Sequence, residues 1–251
     1  MNRIAGVTAC SVVLCLGAAS RIWAADPPIV NGTVNAASFA AGAPVAAGSI
    51  AVLFGANLAA RAAAADGVPL PTLLGDARVS LNGIAAPLFY VSSGQINFQV
   101  PWELAGRSEA SLIVTVGGMA SAAQTVKLAA VAPGIFTTNG TQGAILISSS
   151  GDVAAPAGSI LNHTARPARR GEFISIYCTG LGPVTNQPKS GVGGLGDPLS
   201  TVTTAPTVTI GGAPATVTFA GLAPPGPGAR QIEKMATRAR DSVSRAAAED
   251  V

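Results

Sequence analysis

Charge, histidine and cysteine are all scarce in this chain of 251 residues. A single histidine, His163, is available, so any Ser-His-acid hydrolytic triad would depend on it. It sits in the loop-like run Asn162-His-Thr-Ala-Arg-Pro-Ala-Arg-Arg170, and no Gly-x-Ser-x-Gly elbow occurs anywhere. Of three cysteines, Cys10 and Cys15 fall within the first 25 residues and leave Cys178 alone in the rest of the chain. One thiol and one imidazole exclude a zinc site, and one thiol gives an exported protein no internal disulfide. Cys178 lies in an apolar stretch and reads as a buried, inert thiol.

Only 11% of residues are charged. The net charge of +3 belongs to the two ends, because residues 26–228 hold eight Lys/Arg against eight Asp/Glu. A nucleic-acid footprint needs a basic face on the folded body, and the sequence offers none. Paired carboxylates for glycoside hydrolysis would have to come from the eight scattered acids of residues 26–228, of which Glu103 and Glu109 are close in sequence and read as loop residues. The run Ser148-Ser-Ser-Gly-Asp152 reads as a turn rather than a calcium loop, and no phosphate-cradling Gly-rich loop with a lysine is present. No cofactor, metal or catalytic residue is therefore expected. Arg166, Arg169 and Arg170 form the one local basic cluster of the body, a surface loop or an anion cradle.

What the chain does contain is glycine (30), proline (18) and short apolar runs, a composition of many turns and short strands. Residues 1–25 read as an export signal: Arg3, an apolar stretch at 4–19, then small residues around Ala24. That stretch is shorter than the roughly 20 residues of a spanning helix, so no stable membrane span is expected after cleavage. Residues 26–33 read as a linker.

The stretch Gly48-Ser-Ile-Ala-Val-Leu-Phe-Gly-Ala-Asn-Leu58 returns 123 positions later as Gly171-Glu-Phe-Ile-Ser-Ile-Tyr-Cys-Thr-Gly-Leu181. Residues 79–90 likewise lie over 208–219 at an offset of 129. A repeat of this length fits tandem domains. Strands are predicted at 48–55, 77–82, 86–91, 95–100, 110–116 and 123–129, then at 143–148, 171–178, 206–211 and 215–220. Several alternate, as Ile96, Phe98 and Val100 do, and Asn82-Gly83 suits a type I′ hairpin turn. The expectation is an all-β chain of two tandem immunoglobulin-like β-sandwich domains, 34–135 and 136–228. The second is incomplete, because the strands that follow Tyr90 have no equivalent after Phe219, which predicts an exposed sheet edge. Residues 183–204 read as a long surface loop. The charged segment 229–251, with Ile232, Met235 and Ala236, reads as a helical or disordered tail. Asn31-Gly-Thr, Asn139-Gly-Thr and Asn162-His-Thr read as turns.

In the strand at 95–102, Gln95, Asn97 and Gln99 share one face, and their amides suit sugar hydroxyls or an added peptide strand. Tyr90 and Trp102 flank it as a stacking platform. These five residues are the candidate ligand-binding site. The competing reading has the amides satisfying neighbouring loops and Trp102 packing in the core.

The run Tyr90-Val-Ser-Ser-Gly-Gln-Ile-Asn-Phe-Gln-Val-Pro-Trp102 resembles the Solibacter-type C-terminal domain family of exported acidobacterial proteins. The stretches 34–39, 48–58, 132–136, 170–177 and 179–183 match it in order, so the resemblance spans about 34–224. It implies a secreted, β-rich module of the IPT/TIG immunoglobulin-like kind, with no established activity to carry over. The family pattern would continue with a strand like Gly-Leu-Tyr-Gln-Val-Asn, and the change after Pro224 would follow from a reading-frame shift. The expected function is an exported, non-enzymatic module that binds a glycan or another extracellular protein. The alternatives are a structural spacer and, least supported, a hydrolase using His163 or Glu103.

Overall fold

The alternation of apolar and polar residues is realised as strands throughout a computed structural model, which describes residues 26–223 and 233–238. The export segment at 1–25 and the tail beyond Arg238 lie outside the described residues. The first half forms β1 (Ile29–Asn35), β2 (Val45–Ala46), β3 (Ile50–Ala56), β4 (Ala63–Ala64), β5 (Ala77–Leu81) and β6 (Ile84–Ala85). It continues with β7 (Leu88–Val91), β8 (Gln95–Gln99), β9 (Glu109–Val116), β10 (Met119–Ala120) and β11 (Gln124–Ala129). The second half forms β12 (Gly134–Ile135), β13 (Ile145–Ile147), β14 (Val153–Ala154), β15 (Ala165–Arg166), β16 (Phe173–Thr179), β17 (Val208–Ile210), β18 (Ala213–Leu222) and β19 (Glu233–Arg238). One 3-10 turn, Trp102–Leu104, is the sole helical element among the described residues, and no helix there is long and apolar enough to cross a membrane.

Three sheets result. The first runs β1-β3-β8-β7-β4 and the second β2-β11-β9-β5-β6, with β10 on β9. They face each other across one core, in which Leu53, Ile96 and Phe98 of the first sheet meet Val79, Leu81, Leu112 and Val114 of the second. Each such side chain contributes roughly 1.5–3 kcal/mol on leaving water, which fixes the register of every strand. The third sheet runs β15-β14-β13-β16-β19-β18-β17, with β12 also on β16.

The repeat is preserved in backbone detail. Asn82-Gly83 turns the chain with φ of 50° and 80°, and Gly211-Gly212 does so with 56° and 80°. A β-bulge falls between Leu88 and Tyr90 in β7 and between Val217 and Phe219 in β18, the same place at an offset of 129. Strand order β3-β8-β7 in the first half is matched by β16-β19-β18 in the second.

That match corrects the expectation for the tail. Glu233–Arg238 is a strand, not a helix, and it pairs with both β16 and β18. Glu, Lys, Met and Ala favour helix in isolation, but pairing two sheet edges at once satisfies backbone groups on both sides and outweighs that preference. The edge expected to be unpaired is thereby filled. Counterparts of β9 and β11 are not found among the described residues.

The halves are joined by buried polar contacts. Ile50 N donates to Thr179 Oγ1 at 2.9 Å, and Gly191 N donates to Gln99 Oε1 at 2.7 Å. The loop expected to lie on the surface folds back over the first half: Val184 and Ser200 are buried, and Leu70 N donates to the Gly191 carbonyl at 2.7 Å.

Candidate functional site

β8 points Ile96 and Phe98 into the core and presents Gln95, Asn97 and Gln99 on the outer face of the first sheet. Residues directly opposite in antiparallel strands share a face. Phe54 lies opposite Gln95, while Val52 and Tyr90 lie opposite Asn97 on either side. Gln95 Nε2 donates to Asn97 Oδ1 at 2.6 Å. This leaves Gln95 Oε1 and Asn97 Nδ2 without partners among the described residues, one acceptor and one donor group side by side. Phe54 is 38% exposed and Tyr90 is half-buried, so two aromatic rings flank an amide pair. The bulge before Tyr90 returns it to this face, a common use of an extra residue in a strand.

Gln99 and Trp102 are placed differently. Gln99 is 1% exposed; its Oε1 accepts from Gly191 N at 2.7 Å and its Nε2 donates to the Gly48 carbonyl at 3.4 Å. Trp102 is 3% exposed, packs with Val184 and Leu222, and donates its backbone N–H to Ser190 Oγ at 2.9 Å. Its ring covers Gly48 so closely that a Cβ there would strike it. Both side chains therefore belong to the joint between the halves: the Gln99 amide meets loop backbone, and Trp102 packs at the joint and not in the core of the first half. Of the five candidates, the outer face brings together Gln95, Asn97 and Tyr90.

Phe54 escaped the sequence reading, although the repeat pointed to it. Position 54 is answered by Tyr177 and position 90 by Phe219, so an aromatic pair recurs. In the third sheet Tyr177 lies opposite Lys234 and Phe219 opposite Ala236, where the first sheet has Gln95 and Asn97.

The remaining polar candidates are placed as follows. His163 is exposed beside Asn162, whose φ is 62°. Glu103 accepts from Ser190 Oγ at 2.8 Å, and Glu109 stands opposite Lys127. Arg166 is not a free anion cradle. It binds Glu172 through two bonds of 2.9 Å and reaches Asp152 Oδ2 at 3.1 Å. The Arg166 hydrogen bonds, with the Arg169 N–H, hold the Glu172 carboxyl down at about 2. Asp152 is also lowered, by hydrogen bonds from Thr164 and Ser150 before that of Arg166. Within the run expected to turn, residues 148–150 form the turn, closed by Gly151 N donating to the Ile147 carbonyl at 2.8 Å, and Asn139 Oδ1 caps another by accepting from Gln142 N at 2.7 Å. Cys178 is buried in the second core. Among the described residues no group of three His, Cys, Asp or Glu could hold a metal ion. Comparison with protein-family models and with curated proteins returns no match for this chain.

Proposed function

We propose that this chain is an exported, non-enzymatic recognition module built of two immunoglobulin-like units, and that it binds a neutral glycan on the outer face of its first sheet. The observation that carries this reading is the pair Phe54 and Tyr90 flanking the hydrogen-bonded amides of Gln95 and Asn97. The C–H face of a sugar stacks on an aromatic ring, and its hydroxyls need donors and acceptors together, which two amides supply. The resemblance of 90–102 to an exported, β-rich family agrees with an extracellular setting.

A second reading, a structural spacer without a soluble ligand, is favoured by one feature. Gln99 and Trp102 hold the two halves in a fixed relation, as a spacer requires. Nothing favours a hydrolase built on His163 or Glu103.

A glycan array probed with the chain separates the two readings. Binding should weaken at least about tenfold in Phe54→Ala and Asn97→Ala with the unfolding midpoint little changed, as expected for residues at the centre of a contact. Absence of binding to any saccharide would leave the spacer.

A further inference from the structure

Phe54 and Tyr90 stand on β3 and β7 with β8 between them, and they face different residues of β8: Phe54 lies opposite Gln95 and Tyr90 opposite Asn97. They are therefore set two strands apart across the sheet and two residues apart along it. Strands spaced about 4.8 Å, rising about 3.4 Å per residue, put the two positions about 12 Å apart on a diagonal that crosses the amide pair. The flanks of this diagonal carry almost no side chain. Gly32 of β1 lies opposite Phe54, and the exposed Ala64 of β4 lies opposite Tyr90. Gly32 is not among the residues of positive φ, and a Cβ there would meet nothing within 4 Å, so neither a left-handed backbone nor crowding calls for glycine. A side chain at that position would stand up beside the Phe54 ring, and its absence leaves that flank of the face unobstructed.

Resting on the glycan reading of this face, we propose that the ligand is an interior segment of an extended β-1,4-linked polysaccharide, laid diagonally across β3, β8 and β7. One hexose with its linkage is about as long as one strand spacing, so the two rings stack under sugars separated by a single intervening sugar, which lies over Gln95 and Asn97. In a β-1,4 chain each sugar is turned over relative to the next. Alternate sugars thus present the same C–H face in the same direction, as two rings on one sheet face require. An α-1,4 chain coils and leaves a flat face within a few units. The intervening sugar offers its hydroxyls to Gln95 Oε1 and Asn97 Nδ2, the acceptor and donor left by the bond between the two amides. Small residues at both flanks let the chain run on past either ring, so no chain end is recognised.

The test titrates the whole chain by calorimetry with cello-oligosaccharides and β-1,4-manno-oligosaccharides of one to six units, and with malto-oligosaccharides as the coiled comparison. Affinity for a β-1,4 series should rise at least about tenfold from disaccharide to trisaccharide, where the second ring is first reached, and little further. A hexasaccharide reduced at its end should bind as tightly as the unreduced one. Phe54→Ala, at an exposed position, should abolish the step between disaccharide and trisaccharide, and Tyr90→Ala should do the same. A step that persists in Phe54→Ala overturns the inference, as does binding lost on reduction of the chain end or a preference for the malto series. Failure of both β-1,4 series in a chain that binds another neutral glycan on the array overturns it too, and leaves the glycan reading standing. Absence of binding to every saccharide on the array removes both.

Discussion

Leu53 of β3 is sealed beneath a second sheet, whereas Ile176, which answers to it in β16, is buried in a smaller cluster that borders a groove. The two halves share strand order, hairpin turn and bulge, and they differ, among the described residues, in whether a second sheet closes over the inner face. Local geometry is therefore fixed within each unit by turn residues and alternation, while closure of a core depends on strands from further along the chain. The polar joint shows a third level. Thr179 and Gln99 look like ordinary outward-facing strand residues within their own halves, yet each accepts a buried N–H from the other half.

The most disruptive single change should be Gly48→Ala. Gly48 has φ +80° and lies under the Trp102 ring, so a methyl adds backbone strain to a clash at the joint. A loss of about 4 kcal/mol or more in urea unfolding is expected, from overpacking and left-handed strain combined. Leu53→Ala should cost about 3 kcal/mol and Ile176→Ala about 2, because the cavity left at the second site would adjoin the groove and be less enclosed. Equal costs would break the comparison between the two cores. Gly83→Ala and Gly212→Ala sharpen it from the other direction. Both glycines have φ +80° with nothing near the added Cβ, so each should lose only about 1 kcal/mol, and by the same amount.

The smallest expected effect concerns pH. Glu172 is held at about 2, below its ordinary 4.5, so its ion pair adds stability above 4.5 that is lost as pH falls through about 2. The difference in melting temperature between the native chain and Glu172→Gln should be constant from neutral pH down to about 5 and should vanish near 2. A difference that persists at pH 2 would mean that Glu172 acts through packing instead of charge.

Much of the fold was legible because alternation in β8 and β9 states which side of each strand is buried, and Asn82-Gly83 states where the chain turns. The recurrence of Phe54 as Tyr177 was equally visible and would have completed the aromatic pair on the outer face. Other features were not legible. Trp102 and Gln99 occupy outward positions whose burial comes from a loop some 90 residues away, and no local pattern encodes that. β19 was hidden for a different reason. Its charged, helix-favouring residues become a strand only because β16 and β18 offer two edges with one strand's width between them.

The position of Trp102 has an optical consequence. Trp23 and Trp102 are the two tryptophans of the sequence, so in a chain starting at Asp26 all indole emission arises from one ring wedged between the halves. Wavelength and quenching by iodide would then report the opening of that single seam, separately from the melting of either sheet.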